Sequence, residues 1–162
     1  MDPIQRQIVD LLPRLRRLAR VLAGQPADAD DLVQQTVERA LAACGQWRPG
    51  TRLDSWMFRI MKNAWIDETR VRRRRGAVLA PEEEGENVGG ASARAAEARL
   101  EAAEVERAIA RLPQEQRLAV ALVLVEGLSY KEAAEVLGVP QGTLTSRLGR
   151  GRQALLAELE GG

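Results

Sequence analysis

The chain has 162 residues, enough for one domain of ordinary size or two small ones, and its formal net charge is only +1. It has no histidine and a single cysteine, Cys44. This removes the usual general base, the usual metal ligand and any intramolecular disulfide. Nothing in the sequence calls for an enzyme, a cofactor or a metal. No apolar run reaches the length of a membrane span and no signal peptide is evident, so we expect a cytoplasmic protein.

Ala and Leu supply most of the hydrophobic content, and aromatics are only 3% of the chain, which predicts an all-α fold. The small net charge conceals a strong polarity, because residues 1–80 are net basic and residues 81–112 are net acidic. Nearly all of the 24 basic residues are Arg, whose planar guanidinium suits phosphates and bases. A GC-rich genome would give the same bias without any function, and composition alone does not decide between the two.

Two helices are predicted before residue 45. The first, LLPRLRRLARVLAG, has leucines at helical spacing and arginines on its other faces. Pro13 fits best in a first helical turn, after a separate short helix over residues 3–11. The second helix begins in QPADADD, where Asp28 or Asp30 can serve as N-cap, and its apolar stripe ends at Leu41. The polar residues that lie off this stripe are Asp31, Gln34, Gln35 and Glu38.

A third helix is predicted from about Asp54 to Arg74, after the Gly- and Pro-rich loop GQWRPGTRLDS. With Trp47 just before it, the helix accounts for four of the five aromatics, interleaved with amide, acidic and arginine side chains. Such a mixture suits unstacked bases, each stack contributing about 1–3 kcal/mol. Trp56 and Trp65 are also explained as core residues, and that interpretation is the favoured one.

The composition changes at Gly76. PEEEGENVGG is acidic and almost free of large apolar groups, which predicts a flexible linker over residues 76–92. The linker separates two small helical domains, residues 1–75 and residues 93–162. In the second domain, helical sequence runs from about Ala93 to Leu112, and Pro113 opens a helix that stops at Gly127.

The segment LSYKEAAEVLGVPQGTLTSRLGRGRQALL predicts a helix-turn-helix. Ser129 and Glu132 form a capping box, Gly138 ends the first helix, and Pro140 starts the second. In this motif the second helix enters the DNA major groove, where short hydroxyl side chains let the backbone approach the bases. A helical hairpin with a solvated polar face would carry a similar cluster, but the turn length and arginine spacing favour DNA binding. The candidate DNA contacts are Thr143, Thr145, Ser146, Arg147, Arg150 and Arg152.

In this order the motifs resemble bacterial RNA polymerase sigma factors of the extracytoplasmic function (ECF) class. DADDLVQQTVERAL is similar to the polymerase-binding helix of that family. WRPGTRLDSWMFRIMKNAWIDETRVRRRR is similar to its promoter-melting segment, and LPQEQRLAVALVLVEGLSYKEAAEVLGVPQGTLTSRLGRGRQAL to its reader of the upstream promoter element. LPRLRRLARVLAG and the PGT loop resemble the branch used in general stress responses.

The resemblance implies a sigma factor, which is not itself an enzyme, with core RNA polymerase, promoter DNA and an anti-sigma factor as partners. The clamp helices of the largest polymerase subunit would bind Asp31, Gln34, Gln35 and Glu38, and the flap of the second-largest subunit would be a further contact. Single-stranded −10 DNA would be held by Trp47, Arg52, Asp54, Asn63, Asp67, Arg70 and Arg73. The −35 duplex would be bound by the helix-turn-helix residues named above.

Two other classes stay open: an autonomous helix-turn-helix regulator, and a sigma mimic that binds an anti-sigma factor without touching DNA. Autonomous regulators usually dimerise on palindromes, and no dimer helix is evident here. The sequence departs from the family at Thr145, where many relatives have a basic residue, and at Gly149. We expect Gly149 and Gly151 to loosen the recognition helix, each at about 1 kcal/mol against Ala.

Overall fold

A computed structural model describes residues 1–76 and 93–161, and these residues are helical with no strand. The N-terminal helices are α1 (Pro3–Ala23), α2 (Pro26–Ala42) and α3 (Leu53–Arg74), with a 3₁₀ turn at Cys44–Gln46. The C-terminal helices are α4 (Ala93–Ala110), α5 (Gln114–Val120), α6 (Tyr130–Leu137) and α7 (Gln141–Gly161), with a π-helical turn at Ala121–Val125. The predicted all-α fold is confirmed. Apart from Gly76, the predicted linker lies outside the described residues.

Helix α1 is continuous from Pro3 to Ala23 with Pro13 inside it, so the expected break before Pro13 is wrong. Proline lacks the N–H that would bond to the carbonyl of Val9. Pro13 is exposed, so water can satisfy that carbonyl. Ile8 and Leu15 are buried on either side of the proline, and this packing carries the helix through it.

Helix α2 begins earlier than predicted. Gln25 is its N-cap residue and Pro26 its first residue, so the expectation of a cap at Asp28 or Asp30 is wrong. Proline suits this first position because its missing N–H would have no partner there. The predicted apolar stripe is buried at Leu32 and Ala40 but ends before Leu41, which is 42% exposed.

The N-terminal core contains most of the aromatic side chains. Phe58 and Met57 are fully buried, and Trp65 is only 5% exposed. Trp56 and Trp47 are half-buried and pack against the same core. The core interpretation is therefore confirmed for Trp65.

The helix-turn-helix forms as predicted. The backbone N–H of Glu132 donates to Ser129 Oγ at 3.1 Å, and the backbone N–H of Ser129 donates to Glu132 Oε1 at 2.9 Å. Gly138 ends α6 with φ 68°, a left-handed conformation that suits glycine. Ala133 and Ala134 are buried, which lets α6 and α7 approach closely.

The two groups of helices pack against each other. Helix α1 contacts α4 and the π-helical turn, and α3 contacts α6. The described residues thus form a compact arrangement in which the helix-turn-helix lies beside the N-terminal core. Among these residues, no helix combines the length and apolarity needed to cross a membrane.

Candidate nucleic-acid interface

The rotation of α7 is fixed by its buried leucines. Leu144 and Leu148 are buried at helical spacing, which turns the opposite face outward. Thr143 is half-buried, and its hydroxyl-bearing neighbours are more open. The exposed candidates are Thr145, Ser146, Arg150 and Arg152. The solvent-facing side of α7 therefore has short side chains at its start and arginines one to two turns later. A helix that contacts a DNA groove needs such an open side.

Two of the candidate groups on α7 already have partners within the domain. Thr145 Oγ1 donates to the carbonyl of Gln141 at 2.9 Å, so this hydroxyl is bonded within its own helix. Arg147 Nη2 lies 3.5 Å from Glu115 Oε1, and the glutamate side chain is 67% exposed. Exposed ion pairs contribute less than about 1 kcal/mol, so Arg147 can exchange Glu115 for a phosphate at little cost.

Gly149 and Gly151 of α7 differ in their surroundings. A Cβ at Gly149 would meet nothing within 4 Å, whereas a Cβ at Gly151 would lie 2.6 Å from Val120 Cγ2 and 3.3 Å from the carbonyl oxygen of Gln116. Gly151 is buried, so it is where α7 packs closely on α5. Gly151 therefore has a packing role that was not predicted, in addition to the helix-propensity cost expected of both glycines, because a larger side chain would clash there.

One face of α3 is a polar stripe open to solvent. Asn63, Asp67 and Arg70 are exposed at spacings of four and three residues, which places them on one side of the helix. Arg39 Nη1 of α2 lies 3.2 Å from Asp67 Oδ2. Arg73, also exposed, lies just beyond this stripe.

Arg72, next to Arg73, is paired with two acidic residues of the N-terminal helices. Its Nη2 lies 2.7 Å from Asp28 Oδ1 and its Nε lies 3.2 Å from Glu68 Oε1. The hydrogen bond to Asp28 raises the pKa of Arg72 above its ordinary value. Within the arginine run that ends α3, Arg72 therefore ties α3 to α2, while Arg73 points its charge toward solvent.

In the loop before α3, Arg52 is bound to the buried carboxylate of Asp54. Asp54 is 8% exposed, and its Oδ2 accepts from Arg52 Nη2 at 2.6 Å and from Arg14 Nη1 at 3.0 Å. Burial alone would raise the pKa of Asp54, but the hydrogen bonds from Arg52, Arg14 and the Ser55 backbone outweigh it and hold the pKa below its ordinary value. Trp47, in the same loop, has a buried indole N–H without an acceptor among the described residues.

The four candidate polymerase-binding residues of α2 share one face. Asp31, Gln34 and Glu38 are exposed and Gln35 is half-buried, and Gln34 Nε2 donates to Glu38 Oε1 at 3.2 Å. Asp31 and Gln35 line a groove of about 430 Å³ between the N-terminal helices and the turn at Leu112–Gln114.

Arg117 forms part of the same groove. It donates to the backbone carbonyls of Leu22 at 2.6 Å and Leu112 at 2.9 Å, and its guanidinium lies 5.2 Å from the Trp65 ring centroid. Burial lowers its pKa to about 10. The arginine therefore joins the two domains rather than offering a free charge.

A set of contacts between the domains was missed by sequence reasoning. Glu126, in the connection between α5 and α6, has a side chain with no exposed surface and binds Arg14 and Arg17 of α1. Arg59 of α3 donates to the carbonyl of Glu135 in α6 at 2.6 Å. The basic face of α1 was visible in the sequence, but the partner more than 100 residues away left no local signal.

Comparison with known proteins matches both halves of the chain. Residues 102–155 match the family profile described as Sigma-70, region 4, and residues 8–62 match the one described as the Sigma2 domain of PhyR. The chain is 38% identical to the ECF RNA polymerase sigma factor EcfG of Rhodopseudomonas palustris, over 98% of this chain and 86% of that protein. It is 39% identical to the ECF RNA polymerase sigma factor SigM of Mycobacterium tuberculosis, over 91% of this chain and 72% of that protein.

Two solved structures share the fold. The sigma factor RpoE of Bartonella quintana, in complex with the anti-sigma factor NepR, superposes with a TM-score of 0.81 at 27% identity, over 99% of this chain and 98% of that one. CnrH, in complex with the cytosolic domain of CnrY, superposes with a TM-score of 0.68 at 30% identity, over 97% of this chain and 90% of that one.

Proposed function

Because this chain belongs to the extracytoplasmic function (ECF) class of bacterial RNA polymerase sigma factors, we propose how its surfaces divide the work of initiating transcription. It binds core RNA polymerase and directs it to promoters by reading the −35 duplex and capturing the opened −10 strand. The observation that carries the proposal is the exposed start of α7, held at a fixed rotation by Leu144 and Leu148 within a capped helix-turn-helix.

The −35 duplex is the ligand of α7. Thr145 and Ser146 are short, so the helix can approach the base edges, and the Thr145 methyl suits contact with a thymine methyl. Arg150 and Arg152 are exposed and can pair with phosphates or guanine. Arg147 joins them when it leaves Glu115, a change that the weak ion pair allows.

The −10 strand is the ligand of Arg52 and of the polar stripe on α3. Asn63, Asp67 and Arg70 supply hydrogen-bonding groups along one exposed face, and Arg73 adds charge at its end. Asp54 is buried, so its part is to orient Arg52 rather than to touch DNA. Because Trp65 belongs to the core, base stacking is left to Trp47 and Trp56 at the surface of that core.

Core polymerase is bound by the exposed face of α2. Asp31, Gln34, Gln35 and Glu38 form a polar surface that suits a helical partner such as the clamp helices of the largest subunit. We assign the flap of the second-largest polymerase subunit as a further contact of this protein. None of these contacts needs a cofactor or a metal.

An anti-sigma factor is a further partner. The Bartonella RpoE that shares this fold was solved with such a protein. In this chain we assign such a partner to the groove between the domains, which has apolar residues such as Leu32 and Pro113 beside charged ones such as Arg117.

A sigma mimic is the second candidate, because a chain of this fold, the Bartonella sigma factor, was solved with an anti-sigma factor, and a mimic would bind such a protein. A mimic would bind the anti-sigma factor but would have no use for an α7 face that fits DNA. The exposed arginines of α7 therefore favour a true sigma factor.

The experiment is reconstitution with core polymerase and mapping of opened bases on candidate promoters. We expect wild-type protein to open promoters that carry both elements. Arg147→Ala should weaken binding to a −35 duplex, whereas Asn63→Ala should impair opening and leave duplex binding intact. Arg16→Ala is the matched control, since Arg16 is an exposed arginine of α1 outside both surfaces.

Equal loss of duplex binding in Arg147→Ala and Asn63→Ala would contradict this division of surfaces. Binding to an anti-sigma factor without any promoter opening would instead support the mimic.

A further inference from the structure

The polar stripe of α3 contains an acid that is bound by a neighbouring helix. Asp67 lies on this stripe, and its Oδ2 accepts from Nη1 of Arg39, in the last turn of α2, at 3.2 Å. The side chains are 44% exposed for Arg39 and 57% exposed for Asp67. The ion pair therefore lies at the surface, along the seam between α2 and α3, where a ligand can reach it.

This pairing leaves half of the carboxylate open. Arg39 binds Oδ2, and among the residues that the structure describes none donates a hydrogen bond to Oδ1. An ionised carboxylate accepts hydrogen bonds through both oxygens and donates none. Oδ1 of Asp67 is thus an open acceptor on a carboxylate that is anchored through its other oxygen.

Asn63 supplies the complementary group. It is exposed and lies four residues before Asp67, a spacing at which helical side chains are neighbours with Cβ atoms about 5–6 Å apart. Its amide has an NH₂ group that donates and an oxygen that accepts. Asn63 and Asp67 can therefore present a donor and an acceptor, side by side, to one edge of a ligand.

Apolar side chains complete the same side of α3. Trp56 and Ile60 are half-buried and pack against the N-terminal core. They precede Asn63 by seven and three residues, which places all three on one side of the helix. Because unstacked bases bind to aromatic surfaces, this side of α3 combines a surface for stacking with a donor and an acceptor for a base edge.

The donor and the acceptor match two of the four bases. Adenine and cytosine each have an exocyclic amino group, which donates, beside a ring nitrogen that accepts. Asp67 Oδ1 can accept from the amino group while the Asn63 amide donates to the ring nitrogen. Guanine and thymine have a carbonyl oxygen where the amino group would be. That oxygen would face the Asp67 carboxylate, and two acceptors cannot form a hydrogen bond with each other.

Arg39 makes this acid compatible with a DNA strand. Every nucleotide carries a phosphate, and an unpaired carboxylate close to phosphates is repelled by them. Arg39 balances the charge of Asp67 and holds the carboxylate on the side that Asn63 shares. Arg39 therefore acts on the base through Asp67, as a positioning residue.

We propose that Asn63 and Asp67, with Arg39 positioning the acid, bind one base of the −10 strand and select adenine or cytosine by its exocyclic amino group. The proposal rests on the function proposed above, since it takes the −10 strand as the ligand of α3. It adds Arg39 to the −10 surface and assigns a base chemistry to this part of it.

The test removes single amino groups from the DNA. Core polymerase and full-length protein are bound to a promoter whose −10 region is held open by mismatches, so that strand opening does not limit binding. Each adenine or cytosine of the −10 strand is replaced in turn by unsubstituted purine or 2-pyrimidinone, which keep the ring nitrogen and lack the amino group. We expect one position at which the replacement weakens wild-type binding at least about fivefold.

Variants of the protein show whether Asp67 and Arg39 cause that loss. In Asp67→Ala the replacement should have no effect at that position, because the acceptor is gone. Arg39→Gln should shrink the loss to about twofold, a change within the range of an exposed ion pair, and Arg39→Lys should restore part of it. Arg16→Gln removes an exposed arginine of α1 and is the control that keeps the full loss.

The ratio between native and amino-free DNA separates positioning from other roles of Arg39. Loss of one positive charge weakens binding to both DNAs alike, and a purely structural role would also leave the ratio unchanged. Circular dichroism checks that each variant keeps its helix content, and the measurement on wild-type protein does not depend on any variant.

If no amino group matters for wild-type binding, or if Asp67→Ala keeps the loss, the proposal is overturned. A full wild-type loss in Arg39→Gln would overturn the positioning role of Arg39. Failure of wild-type protein and core polymerase to bind the open promoter at all would refute the proposed function instead, so the two failures are distinguishable.

Discussion

Replacing Gly151 by Ala tests the close packing of α7 on α5. The added methyl would lie 2.6 Å from Val120 Cγ2 and 3.3 Å from the carbonyl oxygen of Gln116. Val120 is fully buried, so it has little room to move. Overpacking of this kind costs about 1–3 kcal/mol, and the better helix propensity of Ala returns about 1 kcal/mol. We therefore expect a net loss of stability of up to about 2 kcal/mol.

The matched variant is Gly149→Ala, two residues earlier in the same helix, where the added methyl meets nothing within 4 Å. It should gain up to about 1 kcal/mol from helix propensity alone. Thermal unfolding followed by circular dichroism measures the stability of both variants. For a domain of the size of residues 93–162, a change of about 1 kcal/mol shifts Tm by about 4–8 °C. A rise in Tm for both variants would refute the packing argument, because it would show that Gly151 has free space beside it.

Three further predictions follow from named contacts. Ser129→Ala removes the side-chain half of the capping box and should cost about 1 kcal/mol in urea unfolding; an unchanged midpoint would argue against the cap. Because the folded pKa of Asp54 lies below its ordinary value, its contribution to stability is complete above about pH 4 and is lost as the pH falls through the folded pKa. The stability advantage of wild type over Asp54→Asn should therefore shrink below that pH, and a constant difference down to acid would contradict it. Arg150→Ala should weaken −35 duplex binding by about 1–3 kcal/mol in anisotropy measurements, and unaltered affinity would remove Arg150 from the interface.

Features that depend on neighbouring residues were predictable from the sequence. The helix-turn-helix follows from the Ser129–Glu132 capping box, the left-handed Gly138 and the apolar spacing of α7, all of which act within a few residues. The candidate stripe on α3 follows in the same way from helical periodicity. These local signals agree with one another, and the fold confirms the helices that they predicted.

Features that depend on distant packing were not predictable. The residues around Pro13 predict the start of a helix there. In the structure α1 continues through Pro13, because Ile8 and Leu15 on either side of it are buried in the core. Gly151 has the same helix-propensity cost as Gly149, and only the position of Val120 beside Gly151 distinguishes the two glycines. Glu126 is one acidic residue before a glycine in the sequence, yet its side chain has no exposed surface and pairs with Arg14 and Arg17 of the other domain.

The central claim is that the protein acts through core polymerase, and binding to that enzyme tests it most directly. Purified wild-type protein is mixed with core polymerase in mild salt, without any anti-sigma factor, and run on a size-exclusion column. The account predicts a stoichiometric complex that opens promoter DNA only when both promoter elements are present. Separate elution of the two proteins, with no opening above that of core polymerase alone, would contradict it.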